Sequence, residues 1–297
     1  MGVSQSNETK YLLQIEGEYK DLKMVPYFAR FDSTPFAEGS MRWCYAGIVL
    51  NDSGKPVYPD SFPDGRCVVK SFKEGCAVDA QEWTDDYKNS FYANRIAAEF
   101  NKAVPTTRPL RFAVPYLAQI DTRAGAKVMG ITVTPDDVKG KLESREWVAI
   151  EPFIVGEYKK FTSNSGWIDP HIGNAIPAFM HWGWVHEKGH VLVSDIQGVR
   201  RDTCYMLTDP AVQSVDRAYG ATDLGAEGLV RFLTTHKHTE LCKSLPWPSD
   251  EEIKMFKALL TTKPIKHTTF SFQLPCSVRN DPTLQLNYKA FIDGFFK

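Results

Sequence analysis

The stretch Val191-Leu192-Val193-Ser194-Asp195-Ile196-Gln197-Gly198 carries an apolar, β-rich run into a carboxylate, an amide and a glycine. A second carboxylate follows in Thr208-Asp209-Pro210, where the proline restricts the backbone. Two carboxylates at the edge of a sheet can hold a divalent cation and accept a proton, and phosphoryl transfer depends on such positioning and charge neutralisation. The alternative interpretation is a solvated loop at a strand end, where Asp, Gln and Gly are common.

The composition is that of an ordinary globular protein. The chain has 297 residues, 43% hydrophobic and 24% charged, which is long enough for one large domain or two lobes. Its formal net charge of −1 argues against binding to nucleic acid through phosphate neutralisation. The six cysteines show no paired spacing, which favours reduced thiols in the cytoplasm over a disulfide framework. No apolar run reaches the roughly 20 residues of a membrane span.

The first residues match the pattern of N-myristoylation. In Met1-Gly2-Val3-Ser4-Gln5-Ser6, removal of the methionine would expose Gly2, and a serine stands at the sixth position. A chance match is the alternative, because short patterns match often. One acyl chain gives only marginal membrane binding. We therefore expect a cytoplasmic protein whose membrane association depends on this modification.

The two halves of the sequence differ in their pattern of strand and helix signals, which predicts two lobes. The first half alternates strand and turn patterns, whereas the second half mixes strand, helix and glycine-rich patterns. A cleft between two lobes is a favoured position for a nucleotide. We expect a polar, poorly anchored N-terminal tail at 1–24, a β-rich lobe at 25–152, a mixed lobe at 153–262 and an extended C-terminal tail at 263–297.

Local patterns predict individual strands and helices within these lobes. Apolar and β-branched residues predict strands at 42–50, 66–72, 147–150, 182–185 and 191–194. Broad apolar faces predict helices at 82–103 and 173–181. A further helix is expected to open at Ser249, since Ser249 and Glu252 have the spacing of a capping box.

Two cations near predicted strands are candidates for phosphate binding. Lys70 interrupts the apolar strand Cys67-Val68-Val69-Lys70-Ser71-Phe72 and is costly there unless it faces a cleft or a partner. The alternative is an edge-strand lysine that discourages aggregation. Arg42 follows Phe36-Ala37-Glu38-Gly39-Ser40-Met41, where Gly39 permits a tight turn and the guanidinium could clamp phosphate oxygens.

The segment His236-Lys237-His238-Thr239-Glu240-Leu241-Cys242 concentrates metal-ligand chemistry. Zinc takes imidazole and thiolate ligands tetrahedrally, and on a helix His238 and Cys242 would share a face. A fourth ligand must come from elsewhere, and His181 is the best candidate. Four protein ligands leave no open position, so the pattern predicts a structural zinc site. A polar helix with incidental histidines is the alternative.

A series of short blocks runs in order along most of the chain, from about Phe36 to Leu245. The blocks are Gly39–Arg42, Val68–Phe72, Ile96–Asn101, Ile150–Phe153, Gly156–Phe161, Phe179–Trp182, Asp195–Val199, Leu207–Pro210, Gly220–Gly228 and His236–Cys242. Each block is weak by itself, but all of them in this order are hard to obtain by chance. In these blocks the chain resembles the alpha-kinases, the atypical protein kinases that include myosin heavy chain kinases, elongation factor 2 kinase and the channel-kinases.

The resemblance implies an α+β, two-lobed protein-kinase-like fold. Its N-lobe would be rich in β-structure, its mixed C-lobe would hold the structural zinc site, and the nucleotide cleft would lie between the lobes. The implied activity is transfer of the γ-phosphoryl group of MgATP to serine or threonine of protein substrates, with autophosphorylation. ATP, Mg²⁺ and a structural Zn²⁺ are the implied cofactors.

Carried over by position, the resemblance assigns nucleotide-binding roles in both halves of the chain. Lys70 and Arg42 would hold the phosphates beside the turn at Gly39, and Glu151 would meet the adenine amino group. The glycine-rich loop Gly220–Gly228, which contains Gly225, would lie near the substrate or the nucleotide.

The resemblance also assigns catalytic roles around the opening stretch. Gln197 and Asp209 would bind magnesium, Asp195 would orient or deprotonate the acceptor hydroxyl, and Lys160 would support charge near the transferred group. The division of roles between Asp195 and Asp209 stays open, because two coupled carboxylates near a metal can exchange apparent roles.

The chain departs from the family pattern at three positions. Ser40 replaces a frequent glycine, Thr162 stands where asparagine is frequent, and His238 stands where the family usually has cysteine. Imidazole can replace thiolate on zinc, and no charged catalytic group is missing, so we expect an active kinase. The alternatives are a non-catalytic ATP- or protein-binding module that keeps the fold, and a zinc hydrolase, which needs an open coordination position.

Overall fold

The computed structural model of the chain describes residues 6–16, 21–39, 41–122, 126–128, 131–133, 142–143, 145–261 and 281–297. The chain folds into two compact units. The first unit comprises Met1–Lys88 and Ala113–Val155, and the second comprises Asn89–Phe112 and Gly156–Lys297. Strands dominate the first unit and the second mixes helices with strands, which confirms the predicted α+β composition.

The elements are numbered in chain order. The described strands are β1 Ser6–Thr9, β2 Leu12–Glu16, β3 Asp21–Val25, β4 Tyr27–Asp32, β5 Ala37–Glu38, β6 Arg42–Asn51, β7 Arg66–Phe72, β8 Leu110–Phe112, β9 Tyr116–Thr122, β10 Ala126–Val128, β11 Ile131–Val133, β12 Trp147–Pro152, β13 Tyr158–Lys160, β14 Val191–Ser194, β15 Gln197–Arg200, β16 Tyr205–Thr208 and β17 Ala211–Ser214. The described helices are α1 Thr84–Ala103, preceded by a 3-10 turn at Ala80–Trp83, α2 Ala175–His186, α3 Ala226–Thr235, α4 Asp250–Thr261 and α5 Pro282–Phe295.

The first unit is built on an antiparallel sheet of nine described strands. Eight of them follow the order β1-β4-β6-β7-β12-β9-β2-β3, and β5 pairs with β6. Strand β1 pairs with β9 as well as with β4, so that six strands close into a ring. Strands β10 and β11 form a separate pair.

Alternation along the central strands explains why this sheet forms. In β7, Cys67 and Val69 are buried, and Val69 pairs with the buried Tyr45 of β6. These residues join Ile120 and Ile150 in one apolar cluster. Full burial of a large apolar side chain contributes roughly 1.5–3 kcal/mol relative to exposure, so the cluster holds the strands that carry Lys70.

The second unit contains a four-stranded sheet, with the order β13-β15-β16-β8, and a hairpin-like pair of β14 with β17. Strands β16 and β8 run parallel, whereas the other pairs are antiparallel. Helices α2 to α5 and the later part of α1 surround one apolar core. Its largest buried members are aromatic, namely Phe100, Phe179, Trp184, Phe256 and Tyr288.

The predicted helix start at Ser249 is confirmed. The Ser249 backbone N–H donates to Glu252 Oε2 at 2.8 Å, and the Glu252 N–H donates to Ser249 Oγ at 3.3 Å. These reciprocal bonds form the capping box that the spacing predicted, and they satisfy two backbone donors at the start of α4.

The predicted strand at 182–185 is wrong, because helix α2 continues through these residues to His186. Helix α2 buries residues on every side, from Ile176 to Trp184, so its sequence shows no polar face. A helix that is apolar all round has no clear 3.6-residue period, and a short apolar run from it resembles a strand.

Both predicted tails contain folded segments where the structure describes them. Residues 6–16 and 21–25 form β1, β2 and β3, and the side chains of Leu12 and Ile15 are buried. The C-terminal segment contains α5, which Asp281 caps through the Thr283 N–H. The expectation of an extended C-terminal tail is therefore wrong for 281–297.

The C-terminal helix carried a periodic signal that the sequence prediction missed. Leu284, Tyr288 and Ile292 lie four residues apart and are all buried in the core of the second unit. The expected lobe boundary also differs, since residues 89–112 belong to the second unit. Among the described helices, none combines the length and apolarity required to cross a membrane.

Candidate active site

The four-stranded sheet aligns two predicted site residues, Lys160 and Gln197, in one row with Thr208, which directly precedes the predicted Asp209. Lys160 of β13 pairs with Gln197 of β15, and Gln197 pairs with Thr208 of β16. Directly paired residues on neighbouring strands project to the same face of a sheet. A cation, an amide and a hydroxyl therefore share one face, and Asp195 and Asp209 flank the row in sequence.

Asp195 is held by a cation and by the backbone. Lys160 Nζ lies 2.7 Å from Asp195 Oδ1, and the Asn164 backbone N–H also bonds to this carboxylate. Burial raises the pKa of Asp195, Lys160 opposes that rise, and the negative charge of Asp209 adds to it. The balance raises the pKa, which makes the Asp195 carboxylate a stronger proton acceptor than an exposed aspartate.

Both predicted carboxylates have unusual backbone conformations. The φ angle is 53° at Asp195 and 49° at Asp209, in the left-handed region that residues other than glycine rarely adopt. Each residue directly follows a strand, β14 or β16. Such strain is kept only where the surroundings impose it, and it clusters at functional sites.

Gln197 links the two carboxylate positions. Its Nε2 donates to the Asp209 backbone oxygen at 3.1 Å and to Asp195 Oδ2 at 3.4 Å. An amide has two donor hydrogens, so these contacts occupy its nitrogen and leave its oxygen as the group able to contact a cation. The predicted magnesium ligands Gln197 and Asp209 are thus neighbours in the structure.

Thr162, a departure from the family pattern, fixes the residue after Asp195. Its buried Oγ1 accepts the Ile196 N–H at 2.9 Å, and its own N–H donates to the Ile196 oxygen at 3.1 Å. Phe161 N–H donates to the same oxygen at 2.8 Å. The hydroxyl thereby satisfies a buried N–H beside the strained aspartate.

In the first unit, the buried Lys70 forms an ion pair with Glu151. Lys70 Nζ lies 2.8 Å from Glu151 Oε2, and the two side chains are 6% and 5% exposed. Strands β7 and β12 are neighbours in the sheet, which brings these residues together. This ion pair was not predicted from the sequence, because the family resemblance assigned Glu151 to the adenine amino group.

Arg42, the second predicted phosphate-binding cation, is occupied by Asp86 at the start of α1. Its Nη2 lies 2.8 and 2.7 Å from the two carboxylate oxygens of Asp86. The guanidinium carbon also lies 4.0 Å from the ring centroid of Phe72 and 5.1 Å from that of Trp83. Nearby, the Gly39 N–H donates to the Arg42 oxygen at 2.9 Å, whereas Ser40 of the predicted turn lies outside the described residues.

The glycines of the predicted loop are required by its backbone. Gly220 has a φ of 82° and Gly225 a φ of 68°, so both lie in the left-handed region that glycine adopts without strain. Gly225 stands directly before α3. The sequence correctly marked this loop as glycine-dependent, although it did not reveal what anchors it.

The predicted metal ligands meet in space, but not on a helix. Helix α3 ends at Thr235, so the His236–Cys242 segment forms a loop, contrary to the helical spacing that we expected. One ligand atom from each of four residues lies within 4.8 Å of the others, and these residues are His181, His236, His238 and Cys242.

Two histidines of this cluster, His181 and His236, are in the neutral form that can bind a cation. Burial lowers the pKa of His181 to about 4 and that of His236 to about 3, so both imidazoles are neutral at pH 7. Each has a buried Nδ1 without a hydrogen-bond partner among the described residues. His181 Nε2 is 2.9 Å from the Pro246 oxygen, which fixes the ring orientation.

The sequence missed the residues that support the predicted site. Trp247 packs its ring 4.7 Å from that of His181 and 4.9 Å from those of His236 and His238. The Thr239 N–H donates to Cys242 Sγ at 3.2 Å. Trp247 lies between two prolines, which restrict the backbone on both sides of it, whereas Asp86 and Thr162 carried no signal in the sequence.

Comparison with known proteins identifies the family. The Alpha-kinase family model matches residues 37–242. Alpha-protein kinase vwkA of Dictyostelium discoideum is 31% identical over 218 residues, which cover 71% of this chain and 30% of the relative. Myosin heavy chain kinase B of the same organism is 26% identical, over 73% of this chain and 25% of its own length. The chain thus spans less than a third of these relatives.

A solved structure gives the same result for the fold. An alpha kinase from Entamoeba histolytica superimposes with a TM-score of 0.62 at 24% identity, over 84% of this chain and 94% of that chain. This likeness shows the fold alone, whereas the family model covers more than half of the chain. The chain therefore belongs to the alpha-kinase family.

Proposed function

We propose that this chain is an active protein kinase, which transfers the γ-phosphoryl group of MgATP to serine or threonine hydroxyls of proteins, its own among them. The arrangement of Lys160, Asp195, Gln197 and Asp209 carries the proposal, because it combines a cation, an amide and two strained carboxylates. Family membership supports it. Further support comes from the alpha-kinase domain of myosin heavy chain kinase A, which has been solved in complex with ADP.

In this proposal Asp195 and Lys160 act on the acceptor hydroxyl and the transferred group. Asp195 orients the hydroxyl and accepts its proton, a role that suits a carboxylate of raised pKa. Lys160 stabilises negative charge next to it, and its 47% exposed side chain leaves room for a substrate.

Gln197 and Asp209 would hold magnesium. Amide and carboxylate oxygens are the ligands that Mg²⁺ prefers, and few protein ligands suffice because the ion keeps several waters. A bound magnesium ion would neutralise phosphate charge. The amide nitrogen of Gln197 donates to the Asp209 backbone, which holds the two ligands in a constant relation.

Of the two predicted phosphate-binding cations, Lys70 suits the role better than Arg42. The Lys70 ammonium pairs with the Glu151 carboxylate at 2.8 Å, as a lysine–glutamate pair orients the ammonium in other protein kinases. Arg42 would have to leave both Asp86 and two aromatic rings. The nucleotide cleft and the contact of Glu151 with adenine stay predictions.

Transfer of labelled phosphate from MgATP tests this function. We expect label on the chain itself and on a basic helical peptide that contains threonine, and none with Asp209→Ala. Asp202→Ala, which removes an exposed carboxylate from the turn between β15 and β16, is the matched control and should label normally. Binding of ATP without label in the wild type would favour the inactive, ATP-binding alternative.

We further propose that His181, His236, His238 and Cys242 bind a structural zinc ion. The orphaned Nδ1 atoms, the buried thiol and the neutral imidazoles fit this donor set. Zinc binding at such a site contributes directly to folding.

Metal content and thermal unfolding test the zinc site. Purified protein should contain one zinc per chain, and Cys242→Ala should lose the metal and unfold at a markedly lower temperature. Cys204→Ala, another buried cysteine of the second unit, should keep both properties close to wild type. A zinc-free wild type that is equally stable would contradict the proposal.

The remaining expectations concern location and partners. We propose a cytoplasmic protein that binds no nucleic acid and that contacts membranes only when Gly2 is myristoylated. Residues 1–5 lie outside the described residues, so this part rests on the sequence pattern alone.

A further inference from the structure

Gln213 of β17 is a fully buried amide that bonds to two different segments of the second unit. Its Nε2 donates to Ser194 Oγ at 3.0 Å and to the Thr222 backbone oxygen at 3.2 Å. Its Oε1 accepts the Leu224 N–H at 2.6 Å. A buried amide is costly unless it is hydrogen-bonded, and this one satisfies both ends.

On one side, Gln213 fixes the residue that precedes Asp195. Ser194 ends β14 opposite Ala211, and its buried Oγ donates to the Ala211 oxygen at 3.2 Å. Gln213 bonds to the side-chain hydroxyl of Ser194, whereas Thr162 bonds to the backbone N–H of Ile196 on the other side of Asp195. Both neighbours of Asp195, whose φ is left-handed, are thus held by hydrogen bonds.

On the other side, Gln213 and its neighbour Ser214 anchor the glycine-rich loop, residues 220–228. The buried carboxylate of Asp223 accepts Ser214 N–H at 2.9 Å and Ser214 Oγ at 2.6 Å. It also accepts the Gly225 N–H at 2.8 Å. Two consecutive residues of β17 thus hold the loop, and the side chain of Gln213 also bonds to Ser194, the last residue of β14, which directly precedes Asp195.

The start of helix α3 leaves space for this amide. A Cβ atom added at Gly228 would overlap Gln213 Oε1. Gly228 is therefore required by close approach of the Gln213 side chain. The loop, the helix and the amide form one packed arrangement.

We propose that Gln213 is a positioning residue that couples the glycine-rich loop to the orientation of Asp195. The inference rests on the proposed kinase function, in which the loop contacts the protein substrate or the nucleotide and Asp195 acts on the acceptor hydroxyl. Binding at the loop then stabilises the backbone around Asp195 through Leu224, Gln213 and Ser194.

Steady-state kinetics of three variants separate the bond of Gln213 toward Asp195 from the bonds that anchor the glycine-rich loop. Ser194→Ala removes the Gln213 bond toward Asp195 together with the Ser194 Oγ bond to the Ala211 oxygen, and it leaves the Gln213 bonds to the loop in place. This variant should lower kcat about tenfold with KM values unchanged, the effect of lost orienting hydrogen bonds. Ser214→Ala removes the hydroxyl bonds to Asp223 of the loop and to the Ala218 N–H just before it, while Gln213 stays in place. This variant should raise KM, for peptide or ATP, about fivefold with little change in kcat. Gln213→Leu should show both effects.

Hydrogen exchange supplies a readout that does not depend on activity. In Ser214→Ala, which leaves Gln213 in place, the Ile196 amide should stay protected, whereas in Gln213→Leu its exchange should accelerate together with the Leu224 amide. Wild-type values of kcat and KM in Ser194→Ala would overturn the coupling. Losses of kcat that are equal in all three variants and that parallel their losses of melting temperature would also overturn it. A wild type without phosphate transfer would refute the kinase function, while unchanged Ile196 exchange in Gln213→Leu would refute the coupling.

Discussion

The two units each contain a lysine–carboxylate pair at nearly equal distance, in very different surroundings. Lys70 and Glu151 lie 2.8 Å apart with side chains 6% and 5% exposed. Lys160 and Asp195 lie 2.7 Å apart, with side chains 47% and 19% exposed. The first pair lies inside regular strands, whereas Asp195 has a left-handed φ just beyond a strand end.

The difference shows that distance alone does not give a charged pair its role. A buried pair is hard to separate, because each member left alone would be a desolvated charge. An open pair contributes little to stability, and its members stay available to a third group. In the proposed function, Glu151 therefore orients the Lys70 ammonium, and Asp195 with Lys160 acts on the reacting groups.

The largest effect should come from Asp195→Asn. Asparagine tolerates the left-handed region, so the backbone is kept while the proton acceptor is lost. Phosphate transfer should fall roughly 10²–10⁴-fold, the usual contribution of a general base. The melting temperature should stay close to wild type, since Lys160 is exposed enough to be solvated. Transfer rates with labelled MgATP measure the effect, and an active variant would remove Asp195 from catalysis.

Removal of Lys70 should cost the most stability. Lys70→Met removes the cation that lies 2.8 Å from the buried Glu151 carboxylate, and removing one member of a buried ion pair costs about 3–5 kcal/mol in the free energy of unfolding. The double variant Lys70→Met with Glu151→Met should recover much of that stability without recovering phosphate transfer. Urea unfolding measures both variants. Equal stability of the single and double variants would show that the ion pair is not what burial of Lys70 requires.

A smaller loss is expected from Thr162→Val, which keeps the shape of the side chain and leaves the buried Ile196 N–H unsatisfied. That group costs about 1–3 kcal/mol without a partner. Phosphate transfer should fall as well, because the backbone after Asp195 loses its anchor. Thr162→Ser keeps the hydroxyl and is the control. If both variants unfold and react alike, the hydroxyl bond does not position Asp195.

The smallest stability effect should follow Lys160→Met, which breaks the exposed pair of the comparison. Since Lys160 is half exposed, this pair contributes closer to the roughly 0–1 kcal/mol of a surface ion pair than to the value of a buried one. The free energy of unfolding measured in urea should therefore change much less than in Lys70→Met. Phosphate transfer should nevertheless drop strongly. A stability loss as large as that of Lys70→Met would abolish the distinction between the two pairs.

Several regular elements were predicted correctly from local signals in the sequence. The capping residues Ser249 and Glu252 and the alternating strand at 66–72 depend on near neighbours, and both were found as expected. The second part of helix α2 was predicted as a strand, because a helix that is buried on all sides shows no amphipathic period in its sequence. The missed helix α5 shows the opposite error, since a clear four-residue spacing was present in a segment dismissed as a tail.

By itself, the sequence determined which chemical groups are available: the carboxylates, the amide, the lysines and the histidine–cysteine cluster, in an order that indicates the family. Only the tertiary structure decided their partners. It paired Lys70 with Glu151 and Arg42 with Asp86, and it placed Thr162 and Gln213 on either side of Asp195. The physical reason is that hydrogen bonds and ion pairs between distant residues depend on strand register and burial, which short-range patterns do not encode.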